Sequence, residues 1–445
     1  MNSRTVVLAT ARTPFGRLGG GLASLSATTL GGEAIRNAIE RSGIDPAEIE
    51  HVIMGQVLQG GVGQAPARQA LFKAGLAKTV TCDTVNKVCA SGMLAIVNAA
   101  RLVNDGEVDV AVAGGMESMS NAPYFLKKAR SGYRFGDATM YDMMIHDGLW
   151  DPYFEETMAS SGARVAAELG VTRELQDEFA FRSHHRAHTA HEAGHFSAEI
   201  VPIRAASKAA DKIVVERMPS AAQPRVHAHT GANGSARVWD HTPPTSMVVD
   251  MYAYSPYVTG DVPATLVDRD EPVRSNASAE AMAKLKPIDA GGTITPGNAP
   301  GVNDGACAVV LASEDYARAN GREVLANVID HATVAWDPPY LALVPAMAAQ
   351  RLLDRAGMTA AQIDVWEVNE AFASVALTSA TRLGIDPTAI NLQGGAVAMG
   401  HPIGASGARI VASVIHQLRR RGGGYGIAAI CSGGGQGDAI LVRVG

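Results

Sequence analysis

Two stretches of this chain share one pattern of apolar and polar positions. CASGMLAIVNAARLV (Cys89 to Val103) and GASGARIVASVIHQL (Gly404 to Leu418) each open on small residues and continue with apolar positions at helical spacing. Each is followed by a run of Val, Ile and Ala ending in glycines, VDVAVAGGMES and YGIAAICSGGGQG, which predicts a strand buried on both faces. Loop, helix and buried strand in succession are the pattern of parallel α/β units, and its repetition predicts a pseudo-twofold, layered α/β core. Further strand-like runs stand at the N-terminus (TVVLATA), in GACAVVLAS and in WEVNEAF.

Between the halves the pattern changes. From about Ser120 to Lys286 the Val/Ile/Ala runs thin out and aromatics, Met and His rise, as in YRFGDATMYDMMIHDGLWDPYFEETM. A helix follows in TRELQDEFAFRSHHRAHTAHEAG, with Thr172 as N-cap and Gly194 closing its end. The stretch from about Glu216 to Arg274 is rich in Pro, Gly, Ser and His, with only VVDMYAYSPYV strand-like. The expected division is 1–119 for the first half of the core, 120–286 for a covering lobe enlarged near 216–274, with the return of its end to the first half as the alternative, and 287–445 for the second half.

Length and composition agree with a large buried core: 445 residues, 47% apolar, 47 glycines. The net charge of -6 comes without a basic run, which argues against nucleic acid and anionic membrane surfaces as partners and for a small-molecule substrate. No apolar stretch reaches about 18 residues, and the N-terminus shows neither a signal-peptide nor a transit pattern, so the expected location is cytoplasmic. Four scattered cysteines, Cys82, Cys89, Cys307 and Cys431, fit neither a disulfide framework nor paired zinc sites. No metal is expected.

Cys89 precedes a helix, where unpaired N–H groups and the helix dipole stabilise a thiolate. Asn369 and Glu370 end a strand-like run, His401 stands in a glycine-rich loop before a helix, and Cys431 follows a buried strand. Ligand sites of parallel α/β sheets lie beyond the carboxyl ends of strands, where these groups are expected to converge. A thiol, an imidazole, an amide and a second thiol supply nucleophile, base, oxyanion donor and a further acid/base for acyl transfer. The glycines of CSGGGQG add backbone N–H groups open to close approach. Each group also has a structural reading: buried thiol, loop-satisfying histidine, turn-capping asparagine.

NKVCASGMLA, AGGMESMSNAP, GNAPGVNDGA, VNEAFA, GGAVAMGHPIGASGAR and CSGGGQG closely resemble the thiolase family, and the resemblance covers nearly the whole chain apart from the excursion. It implies a duplicated αβαβα core with an inserted loop domain, coenzyme A thioesters as substrates, no separate cofactor, and homodimers or homotetramers. Carried over by motif, Cys89 accepts the acyl group, His401 activates it, and Cys431 exchanges the α-proton. Backbone N–H groups of Cys89 and Gly433 form one oxyanion hole, and His401 with an Asn369-held water the other. Met158, Leu149, Pro300 and Leu341 are the implied substrate contacts, and fatty acid metabolism is the implied setting. A ketoacyl-synthase-type condensing enzyme would carry a histidine in place of Cys431; a non-catalytic thiolase-like protein that binds CoA or acyl groups would not need all four groups.

The sequence departs from the family pattern around the substrate. The serine of the family's GNASG is Pro300, a phenylalanine expected after LKP is absent, and DPPYLALVP carries Ala342 and Val344 in place of glycines. The 199–285 segment is roughly fifty residues longer than its family counterpart, a length that suggests a cover or an oligomer contact. His184, His188, His191 and His195 share one helical face, for which a solvated surface is expected rather than a metal site.

Overall fold

The structure, a computed structural model, describes residues 5–206 and 264–445. Its centre is one mixed sheet. The strands are β1 (Thr5–Arg12), β2 (His51–Gly55), β3 (Thr81–Val85), β4 (Val110–Ser118), β5 (Asn303–Ser313), β6 (Ala326–Ala335), β7 (Val365–Val368), β8 (Gly424–Ser432) and β9 (Gln436–Val444), in the order β7-β8-β9-β6-β1-β5-β4-β2-β3. Among the described residues the halves pair only through β1 and β6, at Val6↔Asn327 and Val7↔Ala326.

Reading outward from that seam exposes the repeat. β1-β5-β4-β2 is matched by β6-β9-β8-β7, with the first two neighbour pairs antiparallel and the third parallel on both sides. Where β3 lies parallel to β2, the second half has a single parallel bridge, Trp366↔Ile390. The sheet is therefore mixed rather than the parallel one expected, because each half adds a last strand antiparallel to its neighbours, reached by a hairpin in the second half and only after the whole lobe in the first. β8 and β9 form a hairpin through Gly434 and Gly435, both at positive φ, a conformation glycine adopts without strain. The boundary expected at 287 also shifts: β5, buried along its whole length, lies between β1 and β4, so the second half begins at β6.

Helices α1 (Ala27–Ser42) and α2 (Pro66–Lys73) cover one outer face, and α6 (Val344–Ala356) and α7 (Ala373–Leu383) the other. The two repeated helices, α3 (Ser91–Asp105) and α8 (Ser406–Arg421), pack together between the half-sheets and share the largest apolar cluster. Their small residues make that contact possible. A Cβ on Gly92 would lie 2.9 Å from Ala408 N, and one on Gly407 would lie 2.6 Å from Met93 N. This is the αβαβα arrangement.

A lobe with α4 (Met158–Glu168) and α5 (Arg173–Glu192) lies over one end of the core. It is tied down by Arg12 of β1, whose buried guanidinium grips Asp270 through two hydrogen bonds (2.7 and 2.9 Å) and meets Glu199 at 3.2 Å. α5 begins at the Thr172 cap and ends at Glu192, with Gly194 at positive φ. Its histidine face is packed, not solvated as expected: His184 is buried and its Nδ1 accepts from Arg274 N–H, and His191 lies against Asp270. That face folds onto the 270–274 segment, which joins the lobe to the core. Ile203–Ala206 pairs with Ala264–Val267, and most of the enlarged segment near 216–274, including VVDMYAYSPYV, lies outside the described residues.

Candidate active site

Cys89 stands between β3 and α3, two residues before the first helical residue, and is buried. Its turn is braced on both sides. Asn86 Oδ1 accepts from Val88 N–H, while Ser91 Oγ accepts from Lys87 N–H and donates to the Val88 carbonyl. Val88 is held at a φ of 45°, which costs a β-branched residue strain and aims the following residue away from the helix axis. Burial pushes the Cys89 thiol up to about 12, against the pull of its own backbone N–H. The helix start does not deliver a resting thiolate, as expected from the sequence, because desolvation outweighs the N–H groups two residues along.

Cys431 is the penultimate residue of β8. Ser432 Oγ donates to the Lys87 carbonyl, stitching the end of β8 to the Cys89 turn, and a Cβ on Gly433 would meet the Val88 side chain at 3.2 Å. The Cys431 thiol is raised well above its ordinary value, first by burial and then by the nearby Cys89 sulfur. Two buried thiols lie near enough for Cys89 to raise the proton affinity of Cys431.

His401 does not follow a strand. It stands after the short helix Ala396–Met399, on a loop pressed into the Cys89 side of the core. Gly115 allows that approach, since a Cβ there would lie only 1.9 Å from the Gly404 carbonyl oxygen. Glu117 adds a clamp: its carboxylate accepts from Val57 and Leu58 N–H at 3.0 and 3.2 Å and from Gly404 N–H at 3.0 Å. Asn303 accepts from His401 N–H at 2.8 Å and donates to the Gly16 carbonyl.

The imidazole's tautomer follows from its neighbours. Ser406 Oγ lies 3.1 Å from the Pro402 carbonyl, which only accepts, so the single hydroxyl proton goes there. With the proton so placed, His401 Nδ1, 2.6 Å from the same oxygen, is the donor, a tautomer assigned from its hydrogen bonds. Nε2 is left with a lone pair, buried and without a partner among the described residues. Burial, then the charge of Arg409, pulls His401 down to about 3, so the ring rests neutral. The resting groups are a protonated thiol and a neutral imidazole.

Asn369 directly follows β7, its N–H donating to the Ala429 carbonyl of β8 at 2.9 Å. It is fully buried, yet neither Oδ1 nor Nδ2 has a partner among the described residues. An unpaired buried amide costs about 1–3 kcal/mol, so this one is suited to a water or ligand. Glu370 next to it serves structure, accepting from Val397 N–H, Ser183 Oγ and Asn391 Nδ2.

A cavity of about 290 Å³ reaches the turns that carry the two thiols, lined in part by Val88, Gly433, Met158, Leu341, Gly148 and Tyr153; Cys89, Cys431, His401 and Asn369 are not themselves in its lining. Met158 and Leu341 also share an apolar cluster with Cys431, Ala342 and Val344. Two predicted contacts fall outside the cavity lining: Leu149 lies between the lining residues Gly148 and Trp150, and Pro300 follows Ala299, which packs with Ala163 and Ile294. Sequence reading missed Asn303, Glu117 and Ser406, although all three stand inside quoted motifs.

Fold and cluster define a duplicated αβαβα protein with a buried two-thiol, one-imidazole acyl-transfer site. The thiolase N-terminal domain family matches residues 5–228 and 257–315, and the thiolase C-terminal domain family matches 322–444. Acetyl-CoA acetyltransferases from Escherichia coli and Cupriavidus necator are 41% and 40% identical over 440 and 439 residues, each covering 98% of both chains. Acetyl-CoA acetyltransferase 2 of Arabidopsis thaliana is 40% identical over 447 residues, 100% of this chain and 98% of its own. The chain belongs to the thiolase family.

Proposed function

We propose that this thiolase transfers acyl groups between coenzyme A thioesters, making or cleaving a carbon–carbon bond through a Cys89 acyl-enzyme, with acetyl-CoA C-acetyltransfer as its core reaction. The observation that carries the assignment of roles is the His401 ring, fixed by Ser406 with a free, buried Nε2 beside the thiol pocket. Cys89 Sγ attacks the thioester carbonyl carbon as Nε2 takes its proton, and the departing CoA sulfur takes that proton back. Cys431, its own proton passed to His401 Nε2, removes an α-proton from the second thioester, and the resulting carbanion attacks the Cys89 acyl carbonyl, releasing the Cys89 sulfur, which takes the proton held on His401. Thiolysis runs the same steps backwards. Charge on the carbonyl oxygens is met by the N–H groups of Cys89 and Gly433, and by His401 with a water on Asn369, whose two orphaned amide atoms support that role.

The reaction needs no cofactor beyond the substrates' own CoA. Met158 and Leu341 border the acyl group, with bulk from Ala342 and Val344 behind them, and acetoacetyl-CoA is accepted without being the clearly best substrate. Pro300 and Leu149, outside the cavity lining, act on the pantetheine arm. Homodimers or homotetramers fit the exposed apolar residues of the lobe's hairpin, where Phe135 is fully exposed. No helix among the described residues is long and apolar enough to cross a membrane; a cytoplasmic setting in fatty acid metabolism belongs to the same proposal. The test is kcat/KM for thiolysis of 3-ketoacyl-CoAs from four carbons upward, branched ones included. Activity confined to acetoacetyl-CoA removes the substrate claim, and no activity on any of them removes the function.

A further inference from the structure

A second cavity, about 460 Å³, lies away from the thiols, between α5, the end of α8 and the 392–393 segment. Its lining carries three guanidiniums, Arg186, Arg420 and Arg421, and two imidazoles, His185 and His195, with no carboxylate. Arg186 donates only to carbonyls, those of Thr388, Ile390 and Asn391, and Arg420 donates to the His195 carbonyl. Arg421 is exposed, with no ion pair to any described residue. Partial burial pulls the pKa of Arg186 and of Arg420 below the ordinary value, against the opposing pull of Glu370, Glu367 and Asp386 on Arg186 and of Glu199 on Arg420, none of which lines the cavity.

An independent observation points to a ligand. Gln393 is only 7% exposed and lines the cavity; its Nε2 lies 3.3 Å from His195 Nδ1, while its Oε1 is buried without a partner among the described residues. Exchanging the two amide atoms leaves the other one orphaned, so a hydrogen-bonding position stays vacant in either orientation. Guanidiniums with no carboxylate beside them in the lining and an unsatisfied amide, around a space of ligand size, form a polar binding site.

We propose that this cavity is a second binding site, separate from the acyl-transfer centre, for a small anion whose phosphate or carboxylate group meets Arg420 and Arg421 and whose further polar group meets Gln393. Guanidiniums suit either anion through paired N–H donors. The site reaches the chemistry along the chain: Gln393 stands eight residues before His401, joined to it by the Ala396–Met399 helix, which Ser183 and Glu370 hold at Gly395 and Val397.

The test is calorimetric titration of the full chain at low ionic strength with ATP, inorganic phosphate and citrate. At least one probe binds, and Arg421→Glu and Gln393→Met each weaken that binding tenfold or more, while Arg130→Glu, an exposed lobe residue with the same charge change, leaves it within twofold. ATP as the tightest probe marks the ligand as a phosphorylated nucleotide, citrate as a polycarboxylate, and equal binding of phosphate and ATP as a simple anion. No binding by any probe overturns the proposal. So does binding that Arg421→Glu and Gln393→Met both leave unchanged. Arg421→Glu alters an exposed side chain and keeps the test decisive where the buried Gln393→Met fails to fold.

Discussion

Replacing Ser406 by alanine removes one oxygen, and the structure fixes what that oxygen does. It accepts from His401 Nδ1–H at 2.6 Å in a place where Ser406 is wholly buried. Without it the ring either keeps an orphaned N–H or moves its proton to Nε2, the atom that must accept from Cys89. An unsatisfied buried donor costs about 1–3 kcal/mol, and the hydrogen bond matters more once the ring is charged in the transition state. At about 1.4 kcal/mol per tenfold, acylation should slow by roughly 5- to 150-fold. The assay is single-turnover acylation by acetyl-CoA, followed as CoA release, beside a thermal unfolding curve. The acylation rate should fall while the concentration dependence for acetyl-CoA stays near wild type. An acylation rate within twofold of wild type, in a variant that unfolds at the same temperature, would refute the tautomer argument.

Three further outcomes follow from the same geometry. Cys431→Ser should still form the acyl-enzyme but lose α-proton exchange and condensation, and equal loss of both half-reactions would end the division of labour between the thiols. Because burial pushes Cys89 up to about 12, its alkylation by iodoacetamide should rise about tenfold per pH unit from 7 to 9; a plateau near neutrality would reveal a resting thiolate instead. Asp270→Asn should destabilise the fold by about 3 kcal/mol, the low end for a broken buried pair, in denaturant titration at neutral pH, because it leaves the buried Arg12 with Glu199 alone as counter-charge. Burial alone would raise the Asp270 pKa, but Arg12 and His191 hold it below the usual carboxylate range. Its stabilisation is therefore complete above the unfolded value of about 3.9 and fades as pH falls below it, so the gap between wild type and variant should narrow in acid.

The repeat was legible because its cause is local: Gly92 and Gly407 must be small for two helix starts to pack, and that need is written into CASGM and GASGA. Cys89, Asn369, His401 and Cys431 were legible as residue types that acyl transfer requires. What the sequence concealed depends on contacts between distant segments. Nothing near β5 says that it returns to the first half-sheet, since a buried run looks the same in either. The histidine face of α5 read as solvated because its cover, Asp270 and Arg274, lies more than seventy residues further on. The Cys89 thiol read as acidified because a helix start is visible in sequence and desolvation is not. Ser406 was hidden differently, as one more small residue in GASGA, where packing alone would account for it.

The central claim is that Cys89 carries the acyl group while Cys431 does not. Incubating the protein with isotopically labelled acetyl-CoA, quenching in acid and mapping the peptides by mass spectrometry tests it in one step. The account predicts one acetyl group per chain on the Cys89 peptide, discharged by added CoA and absent in Cys89→Ala. Label on Cys431 or another residue in the wild-type protein, or labelling that persists in Cys89→Ala, would contradict it.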